Sequence, residues 1–424
     1  MQGERRFFRV VYNWLAKNEQ TAARKNMKHI PEFGRWDDLF CLFGTPLELD
    51  MLRFIAHQFK LDLACETPSL LGKWMPSCNT SSRQTVKLAH KIRKFLGINE
   101  KEYRQYLVLL RKKINIIEAL MSQNRWDEIR FDQIPSKAGL KYRNAFARHD
   151  IIAQKYEQFI KDKNTKVNAK TLFPYEIMAE AAKRYNPYGY NFIEISDMDR
   201  AALEKYWNAL PNYCEGNDSN LMCVVDTSGS MTGSQAAAPI NVAIALGMYC
   251  AERLNGPFKD HFISFSSRPQ YIAIEGIDFV DKVRRIYKQN LCENTNLEAT
   301  FDLIYNTAMR EDVRKEDVPD TIVVISDMEI DWGTTDRTGD ARQKVKTMME
   351  CQREKWAAAG LKTPELIYWN VDSRNQNKFL DDGDAVTYVS GASPTIFETI
   401  LKGKSGIDMM IDILTGERYK EITC

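Results

Sequence analysis

LMCVVDTSGSM (221–231) begins with five apolar residues, ends that run on Asp226, and passes at once into a loop of Thr, Ser and Gly. A short apolar run closed by turn-forming residues reads as a strand buried on both faces of a parallel sheet. Three more runs of the same kind follow: HFISF (261–265), TIVVIS (321–326) and ELIYWNV (365–371). Helical stretches lie between them, at about 237–254, 278–290, 296–309 and 340–359. Strands alternating with helices of this size predict a doubly wound α/β domain, in which ligands bind at the carboxyl ends of the strands.

Upstream of this domain the pattern is different. ERRFFRVVYNWLAKN, DMLRFIAHQFKLDLACE, QTVKLAHKIRKFL, EKEYRQYLVLLRKKINIIEALM and HDIIAQKYEQFIKDK place apolar residues three and four apart, with no strict alternation. These are amphipathic helices, separated by polar breaks that contain Pro or Gly. The expected architecture is therefore α + α/β: an α-solenoid-like or irregular helical array over 1–209, then the doubly wound domain over 210–424, with the loop NALPNYCEGNDSN between the two patterns.

The 424 residues are 44% hydrophobic and 27% charged, an ordinary globular composition that excludes collagen, a simple coiled coil and wholesale disorder. No apolar run is long enough for a membrane span, and MQGERRFF puts charge where a secretory signal needs its apolar stretch, so a cytoplasmic location is expected. Nine scattered cysteines without a CxxC, beside five histidines, fit neither a disulfide framework nor a zinc site. The net charge of +2 conceals an asymmetry. Residues 1–200 hold 35 Lys and Arg against 23 Asp and Glu, a net of +12, while residues 201–424 hold 24 against 34, a net of −10. A basic half predicts a polyanionic partner and an acidic half predicts a cation; mutual attraction of the two halves is the alternative.

Asp226, Ser228 and Ser230 form a DxSxS loop at the tip of the first strand. Thr295 lies in a polar turn that leads into a helix, and Asp327 follows the strand TIVVIS. All three segments fall where doubly wound domains hold ligands, and an all-oxygen set suits a hard divalent ion such as Mg²⁺ or Mn²⁺. Taken in chain order, Asp226, Ser228, Ser230, Thr295 and Asp327 resemble the metal-ion-dependent adhesion site of von Willebrand factor A domains. That resemblance implies direct coordination by the two serines, a direct or water-mediated contact from Thr295, and largely water-mediated contacts from the two aspartates. It also implies an open metal position for the acidic residue of a protein partner. The sequence departs from the usual Thr-Asp-Gly at the third loop by reading Ser-Asp-Met-Glu, which adds Glu329.

A helical basic region followed by such a domain is similar to the TROVE/Ro class of ribonucleoproteins. The resemblance is closer to a family of the same layout from plants and viruses, carried by PEFGRWDDL (31–39), LLGKWMPSCNTSSR (70–83), YRQYLVLLRKKINIIE (103–118), IPSKAG (134–139) and ISDMEID (325–331). It implies HEAT-type helical repeats and a small noncoding or single-stranded RNA as partner.

The candidate RNA-binding residues follow from charge and spacing. Lys87, Lys91 and Lys94 share one helix face, flanked by His90 and Arg93; Arg111 and Lys112 follow LVLL; Lys137, Lys141 and Arg143 cluster after Pro135. Tyr103, Tyr106, Trp126, Phe131 and Tyr142 are interleaved and are candidates to stack unpaired bases, with a core role as the alternative. Arg35, Trp36 and Trp74 read as packing between helix pairs, with ligand contact as the alternative. No GK[ST] follows GSMTGS to make a phosphate-binding loop, no GxSxG, HExxH or GxGxxG element is present, and His261 is the only histidine of the C-terminal domain, so no enzymatic role is expected. The expected function is a noncatalytic RNA-binding protein with a metal-binding domain; the alternative is a metal-dependent protein-interaction adaptor without RNA.

Overall fold

The computed structural model describes residues 5–114, 116–184, 191–215, 220–233, 235, 237–254, 258–289, 295–311, 313–328, 341–372, 386–401 and 406–423. The chain forms two compact units, Met1–Ile129 with Gly406–Cys424, and Arg130–Ser405.

The first unit is helical. Its longer helices are α1 (Arg6–Asn18), α2 (Glu48–Ala64), α3 (Arg83–Leu96) and α4 (Glu100–Lys113). Local chemistry fixes their ends. The Ser82 hydroxyl accepts the Thr85 N–H to open α3, and Gly97 closes that helix at φ 70°. Asn99 and Glu102 exchange hydrogen bonds at the start of α4. The core gathers Leu39, Leu42, Met51, Ile55 and Leu107, all buried. Helix lengths here run from 4 to 17 residues, so no fixed repeat emerges among the described residues. The C-terminal segment belongs to this unit: Asn26 and the Thr423 backbone exchange two hydrogen bonds, and Tyr419 lies 5.0 Å from the Phe33 ring.

The second unit opens with four helices, α5 (Ser136–Arg148), α6 (Ala153–Lys161), α7 (Pro174–Ala181) and α8 (Asp197–Asn208). There follow β1 (Leu221–Asp226), α9 (Pro239–Arg253), β2 (His261–Phe265), β3 (Tyr271–Ala273), α10 (Phe279–Lys288), α11 (Leu297–Arg310), β4 (Thr321–Ser326), α12 (Ala341–Ala358), β5 (Glu365–Asn370) and β6 (Val386–Ser390). The strands form one sheet in the order β3-β2-β1-β4-β5-β6, parallel throughout except for the β2–β3 pair. All six β1 residues are buried, as a central strand covered on both faces requires. Helix α9 crosses β1 so closely that a Cβ on Gly247 would come within 2.4 Å of Val225 Cγ2.

The change of pattern expected near residue 210 marks the passage from helices to alternating strands and helices, whereas packing divides the chain at 129/130. The reason lies in side chains of α8. Trp207 stacks on Phe279 of α10 at 4.6 Å and donates its indole N–H to Glu252 of α9, and Arg200 makes two 2.7 Å bonds to Asp278. Helices α5 to α8 are thereby part of the same compact unit as the sheet.

Candidate metal centre and nucleic-acid interface

The strand order places β2 on one side of β1 and β4 on the other. Crossovers leave these central strands in opposite directions, which opens a crevice at their carboxyl ends. Asp226 ends β1, and Asp327 directly follows β4. Both carboxylates have 0% exposure. Ser228 donates its backbone N–H to Asp226 Oδ1 at 2.8 Å, the Ser326 hydroxyl donates to Asp226 Oδ2, and the Ser228 and Ser230 hydroxyls lie 3.0 Å apart. Thr295, just ahead of α11, is buried, and its Oγ1 has no hydrogen-bond partner among the described residues.

Burial drives the Asp226 carboxyl up to about 6; hydrogen bonds from Ser326 and Ser228 oppose the rise and the neighbouring Asp327 charge adds to it. A buried acid whose neighbouring charge is another acid is the environment a divalent cation would relieve. The residues therefore fit a hard cation: Asp226, Ser228, Ser230, Thr295 and Asp327 supply carboxylate and hydroxyl oxygens, and the half-buried serines leave an approach from solvent. The motif and the placement of strand ends brought these three segments together as candidates from the sequence. Ser326, singled out in the sequence only as the first residue of Ser-Asp-Met-Glu, orients Asp226. Met328, which stands where the usual pattern has Gly, is buried with φ 65°, in the region glycine favours, and its N–H donates to Ser326 Oγ at 3.0 Å. Glu329 lies outside the described residues.

The basic candidates separate into two kinds. In the first unit Lys87, Lys91 and Lys94 are exposed along α3, with Lys91 Nζ 3.7 Å from Glu48, and Lys112 is exposed on α4. Arg93 turns back onto the Ile98 carbonyl and His90. Arg111 is committed to the fold: its guanidinium donates to the Gly72 and Met75 carbonyls at 3.0 Å and to the Ser77 hydroxyl. In the second unit Lys137 and Lys141 are exposed on α5, but Lys137 is paired with Glu176 at 2.7 Å. Arg143, expected on a basic surface, is 4% exposed and donates to Asp199, Glu180 and the Leu140 carbonyl.

The aromatic candidates also divide. Tyr103 is buried with its hydroxyl on the Pro76 carbonyl, and Phe131 is packed among Phe146, Tyr156 and Phe159; Tyr106, Trp126 and Tyr142 are half-buried. His261 Nδ1 lies 2.8 Å from the Lys259 carbonyl. No described helix is long and apolar enough to cross a membrane.

Residues 220–420 match the family model described as Domain of unknown function (DUF7788), and residues 81–214 match that described as Domain of unknown function (DUF2828). Uncharacterized protein L728 of Acanthamoeba polyphaga mimivirus is 27% identical over 368 residues, which are 82% of this chain and 60% of the viral protein. The chain thus spans less than two thirds of the length of that relative. Among solved structures, the crystal structure of the Deinococcus radiodurans Ro (RSR) protein aligns with a TM-score of 0.47 and 14% identity, over 94% of this chain and 87% of the other.

Proposed function

We propose that the protein is a noncatalytic RNA-binding protein in which the solenoid-like helical array carries the RNA and a von Willebrand factor A-like domain holds Mg²⁺ or Mn²⁺. The observation that carries the RNA reading is the α3 face, where Lys87, Lys91 and Lys94 stay exposed in line. Three such cations at helical spacing neutralise successive phosphates and release their counterions. Asp226, Ser228, Ser230, Thr295 and Asp327 would hold the metal, and the bound ion would supply a Lewis-acidic position for a carboxylate. The protein's own part is to keep both aspartates dry and Asp226 oriented through Ser326 and the Ser228 N–H.

A second reading, a metal-dependent protein-interaction adaptor, is favoured by the same crevice, because its serine hydroxyls are the half-buried members of the set. Salt and chelator separate the two. RNA binding should weaken with log salt by about 0.7 in log–log slope per phosphate on a single strand, whereas a metal-bridged protein contact should vanish with EDTA. Titrating a labelled single-stranded RNA at several salt concentrations, with and without EDTA, is the test; no binding at low salt would eliminate the RNA reading.

A further inference from the structure

An open cavity of about 600 Å³ in the first unit lies against α3. Phe40, Phe43 and Trp74, all half-buried, line it together with Leu88, and Gln84 and Thr85 of α3 form one side. Its volume is within the range of small-molecule sites, ~300–1,000 Å³. The rings sit among cations. The Arg35 guanidinium lies 4.5 Å over Trp74, Lys73 Nζ 5.6 Å over the same ring, and Lys91 Nζ 5.0 Å over Phe43. Lys91 of the exposed lysine face follows the lining residues Gln84 and Leu88 at the i, i+4, i+7 spacing of one helix face, and its ammonium meets the cavity through the Phe43 ring. Asp37 also lines the cavity, but Arg5 and Arg9 bind it and Asp38 in a four-membered cluster, so no bare acid faces the space. Cys41 lines it as well; burial pushes its thiol up to about 11, which leaves it an uncharged surface and not a nucleophile.

We infer that this cavity holds one unpaired nucleotide of a single-stranded RNA, its base against Trp74 and Phe43 and its flanking phosphates on Lys91 and Lys87. Half-buried aromatic faces beside a track of exposed lysines are what non-base-paired strands require, because every base has a π-face and every step carries a phosphate. The inference rests on the RNA reading above and adds a location to it. It takes up, for Trp74, the ligand-contact alternative to packing.

The test uses the full chain and a fluorescently labelled single-stranded oligoribonucleotide. Trp74→Leu and Phe43→Leu keep an apolar side chain but remove the ring, and each is expected to weaken binding about 5- to 150-fold with the salt slope unchanged. Trp74→Phe should retain most of the affinity, which a volume-filling role would not require over Leu. In parallel, RNA carrying thiouridine is cross-linked to the unmodified protein by light and the adducts are mapped; adducts at Phe40, Phe43 or Trp74 are expected. Unchanged affinity in both Leu variants, or adducts confined to other segments, overturns the cavity assignment while the lysine face stands. Absence of any RNA binding by the unmodified protein overturns both.

Discussion

Helices α3 and α5 carry similar runs of cations and put them to different uses. On α3, Lys87, Lys91 and Lys94 face solvent with Glu48 the one carboxylate near them among the described residues. On α5, acids arrive from two neighbours: Glu176 and Glu180 from α7 reach Lys137 and Arg143, and Asp199 from α8 completes the burial of Arg143. Against the desolvation that opposes it, Arg143 and Lys183 hold Glu180 below the usual carboxylate range. A row of basic residues is a surface only where no packed neighbour supplies the opposite charge. The crevice at β1 and β4 is a third case, a buried Asp226 whose neighbouring charge is Asp327.

The comparison is broken most severely at Arg143. Arg143→Met strips buried Asp199 of its guanidinium and leaves Glu180 with Lys183 alone, and is expected to cost about 3–5 kcal/mol, read from urea unfolding; replacing Arg143, Glu180 and Asp199 together by apolar residues should recover much of the loss. A single variant that unfolds at the unmodified midpoint would mean that water reaches these acids.

Asp226 gives the next largest effect. Its folded-state carboxyl titrates near 6 against an ordinary 3.8, so the folded protein binds a proton there that the unfolded chain has released. In chelator-treated protein, stability should therefore fall as pH rises from about 4 through 6, by about 3 kcal/mol in all. Asp226→Asn should remove that part of the pH dependence, and saturating Mg²⁺ at neutral pH should restore stability only in the unmodified protein. Urea midpoints across this pH window decide the matter; identical curves for the two proteins would assign the dependence to another group.

The smallest change in stability is expected on α3. Lys87→Glu, Lys91→Glu and Lys94→Glu each should shift it by no more than about 0.5 kcal/mol, as exposed positions do. Their combined effect belongs to binding: loss of three phosphate contacts should lower the salt slope for single-stranded RNA by about two. The equivalent change at Lys137, already paired with Glu176, should lower it by less than one.

These contrasts explain what could be read from the chain alone. The four long apolar strands were legible because a strand buried on both faces needs an unbroken apolar run. The edges were not: β3 has three residues and β6 is VTYVS, partly exposed, so neither carries such a run. The DxSxS loop was legible because its partners are two and four residues apart. The fate of Arg111 was set by carbonyls 36 and 39 residues away, and that of Arg143 by acids 37 and 56 residues away, distances over which local spacing says nothing. Packing was the favoured reading of Trp74 for the same reason, since the cavity it lines is assembled from segments remote in the chain.

Met328 ties the third loop to the core. A glycine there would let the chain beyond Asp327 pivot freely, whereas methionine holds one unfavoured backbone conformation only because its side chain is sunk among the core residues around Val324. The Ser326 hydroxyl receives the Met328 N–H and donates to Asp226, so the two carboxylates and the core plug are mechanically one piece.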